Sequence, residues 1–264
     1  MGRASSCEAA RGLYINCHPV NARVRILPLL ASAFCVAVAA RAAWGDPRFV
    51  APFLAIVALA MIPPFMARRR MRRLLISGDV KRVLGSWQGS IERLVYPETM
   101  APLMAATAYA AYGWIDAARA SLARAVRGPA WDAALEQRLF VETLLDTFEG
   151  DRMGALQKAH VLERMPLPSS GVLARARIAR LRRGIAAMAR AFAHRSTTAD
   201  ARALLAAADT SPLIHWAMRY AAAVVAIDRG EAAEARGLLR GAPEWPPESA
   251  FRAFHEELSA RVGV

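Results

Sequence analysis

The stretch GWIDAARASLARAVRGP, residues 113–129, decides the fold. Counting from Gly113, Ala118 stands five places on, Leu122 nine, Ala125 twelve and Pro129 sixteen. The same offsets from Gly150 give Ala155, Ala159, Leu162 and Pro166. From Gly230 they give Ala235, Leu239 and Ala242, with Pro243 and Pro247 beside the expected stop. A weaker copy begins at Ser196 and gives Ala201, Leu205, Ala208 and Pro212. The four starts are separated by 37, 46 and 34 residues.

Each position in this spacing has a physical role. Glycine ends one helix by accepting a left-handed backbone. A small residue lets two helices approach closely, and a larger apolar residue one turn on fills the groove. Proline stops the second helix. From Leu74 onward alternating β-branched runs are absent, and Ala, Leu, Arg and Glu dominate. These are strong helix formers. The chain is therefore expected to be all-α, built of helical hairpins that cannot bury their apolar faces singly and must stack.

These stretches resemble the tetratricopeptide repeat (TPR) family over roughly residues 100–247. Ala106 and Tyr109 before Gly113, and Ala189 and Phe192 before Ser196, match that family's small-x-x-aromatic pair. The family's Trp and Leu-Gly of the first helix are absent, and the second copy has Thr143 and Asp146 at the small and aromatic positions. The resemblance implies an α-solenoid of TPR-like hairpins; an irregular helical bundle with Ala-rich interfaces is the other architecture open. Residues 74–98 read as a leading helical segment opened by Gly78 and Asp79 and closed by Pro97. Pro247 to Val262 reads as a capping helix with Phe251, Phe254 and Leu258 on one stripe.

Hydrophobic residues make up 55% of the 264-residue chain. Their excess lies between Ile26 and Met66. Ile26 to Ala40 has no charged residue and covers about 22 Å as helix; flanking Arg25 and Arg41 can snorkel and extend it. Phe49 to Ala67 is also uncharged and covers roughly 28 Å, close to a bilayer core of about 30 Å. The Trp44-Gly45-Asp46-Pro47-Arg48 link favours a turn. The expected organisation is a disordered tail at 1–22, a transmembrane hairpin at 23–73 (spans about 26–43 and 49–67) and a TPR-like helical domain at 74–264. Arg23 and Arg25 precede the hairpin, and Arg68, Arg69, Arg70, Arg72 and Arg73 follow it. The positive-inside rule then puts both termini in the cytoplasm of a multi-pass inner-membrane protein. Two other readings of the apolar runs stay open. Ala40-Arg41-Ala42 resembles a signal-peptide cleavage site, and the runs could be buried helices of a soluble core.

No pattern for catalysis, cofactor or metal emerges. The three cysteines, Cys7, Cys17 and Cys35, all precede residue 36, which excludes a disulfide framework downstream. Cys17-His18 lacks a second ligand pair. There is no Gly-rich phosphate loop or Gly-x-Ser-x-Gly elbow. Glu149 and Asp151 flank a turn and are expected to cap or solvate it, and His160 and His215 to be partly buried.

Net charge is +13, and one segment after the hairpin is strongly basic. No acid occurs between Arg164 and Asp200, while Arg175, Arg177, Arg180, Arg182, Arg183, Arg190 and Arg195 all do. Ile178, Leu181, Ile185, Met188 and Phe192 form an apolar stripe. Such a helix can be a solvated face, or can meet an acidic peptide or anionic membrane lipids. Nucleic acid is not expected, because aromatics are not interleaved with the arginines. The family resemblance implies a groove lined by the first helix of each pair. Arg183, Arg190, His194, Phe140 and Tyr220 would then be partner-binding residues for an acidic, partly apolar peptide, with Arg175 and Arg182 facing outward. The functional expectation is a membrane-anchored scaffold for a protein partner. The alternative is an accessory structural subunit of a larger membrane complex, with the Ala-rich first span packed on other helices.

Reporter fusions after Val20 and after Val264 should both report the cytoplasm. A periplasmic signal from the C-terminal fusion would contradict this topology.

Overall fold

The computed structural model describes Arg41 and residues 50–91, 94–169 and 171–263. The tail at 1–22, the first apolar run and the link after it therefore lie outside the described residues, Arg41 apart. The chain divides into two compact units, Met1–Arg73 and Leu74–Val264. Every regular element among the described residues is helical.

Helix α1 (Val50–Ile76) is continuous through Pro63, Pro64 and the arginine cluster. Its last turn belongs to the second unit. Among the described residues no helix is long and apolar enough to cross a membrane.

In the second unit, α2 (Val80–Ile91) starts after Gly78 and Asp79, whose carboxylate accepts from the Arg82 N–H. Pro97 does not close this segment; it opens the next helix, where a missing N–H costs nothing. Four helix pairs follow. They are α3 (Pro97–Ala111) with α4 (Ile115–Arg124), then, after the short α5 (Pro129–Ala133), α6 (Leu135–Glu149) with α7 (Arg152–Arg164). Next come α8 (Val172–Phe192) with α9 (Thr198–Thr210), and α10 (His215–Asp228) with α11 (Ala232–Leu239); α12 (Ala250–Val262) ends the series.

The turns inside the pairs follow the expected chemistry, with one difference. Gly113, Gly150 and Gly230 have φ of +74°, +84° and +77°. In the third pair the left-handed residue is His194, at φ +53°, and not Ser196. Its neighbour Arg195 donates to the Arg190 carbonyl, as Trp114 does to Tyr109 and Glu231 to Ala226. These are the long-range bonds of a Schellman motif. Of the positions expected in this pair, Ala208 is buried and Ala201 is half-buried against the core. Asp200, Leu204 and Ala207 face inward, while the expected Leu205 is 37% exposed. Close approach is real where small residues meet. Ala155 and Ala159 of α7 pack on Ala186 and Ala189 of α8. A methyl group on Gly184 of α8 would overlap Ala207 of α9.

The first helices of the pairs form the interior. In α10 every residue from Trp216 to Ala226 except Arg219 is buried. The fourth and first pairs both reach back to the start of the unit. The Trp216 indole N–H donates to the Ile76 carbonyl, and the Tyr112 hydroxyl to that of Leu75. Both carbonyls sit at the end of α1 and lack helical partners there. The segment before α12 then closes over the interior. The Trp245 indole N–H donates to the Tyr220 hydroxyl, and Ser249 Oγ donates to the Tyr112 carbonyl. Phe251, fully buried, lies against Phe148, Tyr220, Trp245 and Phe254 with ring centroids 5.0–6.4 Å apart. Gly113 fits beneath it, since a Cβ there would stand 3.0 Å from the Phe251 ring and 3.1 Å from its backbone nitrogen.

Two glycine-to-alanine changes separate close packing from helix propensity. Gly184→Ala should destabilise the fold by about 1–3 kcal/mol, because α8 and α9 must separate. Gly237→Ala, in α11 with open space around it, should stabilise by about 0.5–1 kcal/mol. Urea denaturation of the two variants measures both.

Candidate protein-interaction surface

Side chains of α7, α8 and the turn after α8 line an open cleft. Because Ala159 and Ala186 bring the two helices close, longer side chains rise on both sides of them. The cleft is about 550 Å³, and Met153, Leu156 and His160 from α7 face Arg190 and Arg195 across it. Met153 is 68% exposed, and His160, expected to be partly buried, is exposed. The surface is mixed, with apolar and cationic groups side by side. Among the described residues no group of three or more His, Cys, Asp or Glu could hold a metal ion.

The charge of the cleft is organised by Asp200. This carboxylate is buried in the first turn of α9, where it caps the helix by accepting from the Thr197 N–H. The Arg190 guanidinium donates to it twice, at 2.7 and 3.2 Å. Burial alone would push the Asp200 carboxyl up; the Arg190 and Thr197 donors outweigh it and hold it below the usual range. The bond to Asp200 likewise raises the Arg190 guanidinium, against the opposing effect of burial. Glu163 adds a longer contact at 3.8 Å. Arg190 is thus half-buried and directed into the pair, with one edge on the cleft.

The five residues expected to bind a partner occupy different environments. Arg190 lines the cleft as just described. His194 Nδ1 lies 3.0 Å from the Asp228 carboxylate at the end of α10. Phe140 is half-buried against the core. Tyr220 is fully buried, so a partner has no access to its ring. Burial pushes its phenol up, against the opposing donation from Trp245. Arg183 is exposed, with no ion pair within 4.0 Å among the described residues. Arg182, expected to face outward, is instead buried, paired with Glu136 at 2.8 Å and donating to the Met165 and Pro166 carbonyls. The stripe spacing placed it beside Arg183 on the polar side, but the preceding loop folds over that part of the face.

A second buried charge was not read from the sequence. Asp146 of α6, 4% exposed, pairs with Lys158 of α7 at 2.6 Å and with Arg119 of α4 at 3.2 Å. Glu149 joins through Arg119 rather than merely solvating its turn, while Asp151 caps α7 by accepting from the Gly154 N–H. The signal was the acid at a position where two other copies carry an aromatic.

The acid side of the stability curve follows from Asp200. Its carboxyl is depressed in the folded state, so its contribution is present above the unfolded value and is lost as pH falls through the folded one. Asp200→Asn should cost about 2–3 kcal/mol near neutral pH, from the lost cap and the uncompensated Arg190. Its gap from the parent chain should close below about pH 4. Thermal denaturation at several pH values checks this.

Comparison with family models, with curated proteins and with solved structures finds no match for this chain.

Proposed function

We propose that this chain is a membrane-anchored protein–protein interaction module, with the TPR-like helical domain as its binding part. The observation that carries the binding role is the α7–α8 cleft. It is open and mixes exposed Met153 with Arg190 and Arg195. Aliphatic and guanidinium groups on a rigid helical floor suit an acidic segment that also carries an apolar residue. The TPR-like reading is supported by four helix pairs with left-handed turns inside them and small residues between them.

The anchor rests on sequence. Phe49 to Ala67 is uncharged and is followed by five arginines within six residues. A second uncharged run, Ile26 to Ala40, would complete an antiparallel hairpin with both termini in the cytoplasm. Anchoring raises the effective concentration of the module toward partners at the same membrane.

The test uses the full chain in mild detergent with its co-purifying proteins. Arg190→Glu is unsuitable, since it would set a third carboxylate against Asp200 and Glu163. The double change Met153→Glu with Arg195→Glu alters exposed side chains only. It should reduce co-purified partner at least tenfold, with the thermal midpoint within about 2 °C of the parent. An unchanged partner would remove the cleft from the binding surface. Stoichiometric partners that resist both this change and high salt would instead favour the accessory-subunit role.

A further inference from the structure

Helix α8 has 21 residues, whereas its neighbours α7 and α9 have 13 each. The surplus lies at its N-terminal end. Arg182 marks where the helix leaves the body, held by Glu136 from the first turn of α6 and by carbonyls just past the end of α7. Gly184 meets Ala207, so α9 ends near the same level. Residues 172–180 overhang this point by about 14 Å at 1.5 Å per residue.

The overhang has an unusual surface. Val172 and Leu173 are 81% and 84% exposed, the highest values among the large hydrophobics described. Arg175, Arg177 and Arg180 are exposed, as is Arg183 one turn further on, and none has a carboxylate within 4.0 Å among the described residues. At about 100° per residue, Val172, Leu173, Arg177, Arg180 and Arg183 fall within one arc of roughly 140°. The nearest acids in sequence are Glu163 and Asp200. Aliphatic tip and guanidiniums therefore share a face that stays exposed among the described residues.

We propose that this overhanging end of α8 docks on anionic phospholipid headgroups. Val172 and Leu173 enter the headgroup–acyl boundary, and Arg177, Arg180 and Arg183 take phosphates, for which the planar guanidinium is well shaped. The geometry favours a lipid surface over an acidic protein. Exposed aliphatic side chains at the tip beside a cationic arc match the layering of a bilayer surface, where anionic headgroups lie over an apolar interior. The proposal deepens the membrane-anchored reading, which it uses only for bringing α8 near a bilayer.

The test keeps the full chain. Cys7, Cys17 and Cys35 are changed to Ser, and Leu173→Cys carries an environment-sensitive fluorophore. The chain is mixed with vesicles of phosphatidylcholine alone or with phosphatidylglycerol added. Flotation with the neutral vesicles reports the anchor, and the fluorophore reports the overhang. Anionic vesicles should blue-shift the emission and reduce quenching by an aqueous quencher at least fivefold, the effect of about one basic residue at an anionic surface. Both effects should be absent with neutral vesicles and should fade at high salt. Arg177→Glu with Arg180→Glu should remove them while circular dichroism is unchanged. The proposal is overturned by emission indifferent to anionic lipid, by equal protection in neutral vesicles, or by protection that survives the charge reversal. Protection by soluble polyglutamate but not by anionic vesicles also overturns it, in favour of an acidic protein. Failure to float with neutral vesicles overturns the anchor alone, provided anionic vesicles still protect the fluorophore; loss of both signals overturns both readings.

Discussion

Phe251 is the residue on which the order of the helical unit depends. Four aromatic rings meet it, from α6, from α10, from the segment before α12 and from α12 itself. Burying a phenylalanine fully stabilises by roughly 1.5–3 kcal/mol; edge-on contacts with other rings add further. More important is where it sits. Glycine at 113 admits the ring against the end of α3, and Ser249 and Ala250 fix the adjoining backbone by bonds to Tyr112 and Gly113. The last helix therefore ties the first pair to the second and fourth. Together with the Trp216 bond to Ile76, this leaves the inner helices enclosed, where an open array would expose them.

That enclosure limits what the repeat spacing could say about function. The spacing identified the pairs because each local event, a left-handed turn or a small-residue contact, leaves a mark at a fixed offset. Ala118, Ala155 and Ala235 are buried as the offsets require. The capping stripe of Phe251, Phe254 and Leu258 was legible for the same reason. Which face of a first helix stays open is settled by contacts distant in the chain. Nothing near Tyr220 indicates that Trp245 will cover it. Nor does anything near Arg182 indicate that Glu136, 46 residues away, will pair with it.

The third pair shows how a single acid can fix where a helix begins. In the other copies an alanine occupies the first contact position. Here that role passes to Asp200, and a buried carboxylate needs donors. It obtains them from Thr197 and Arg190, which settles the start of α9 and adds Asp200 and Leu204 to its inward positions. His194, closing α8, holds a left-handed backbone, a conformation costing a non-glycine residue roughly 1 kcal/mol. Asp146 plays a comparable part in the second pair, where one carboxylate holds cations from two neighbouring helices. A buried pair of this kind adds little net stability but makes other arrangements costly, because a misplaced helix would strand the charge.

The position of Phe251 near the C-terminal end of the unit also bears on how the protein is made. Chains are synthesised from the N-terminus, and helical pairs rich in local contacts can form as they emerge. Here the pairs would emerge with Phe148, Phe192 and Tyr220 still uncovered, because the helix that covers them follows all four pairs in the chain. Until α12 leaves the ribosome, the nascent unit presents an aromatic face that chaperones, or a neighbouring nascent chain, can bind. Closure of this core thus waits on synthesis of α12, and a ribosome stalled within that helix would hold a product whose aromatic face is not yet shielded by it.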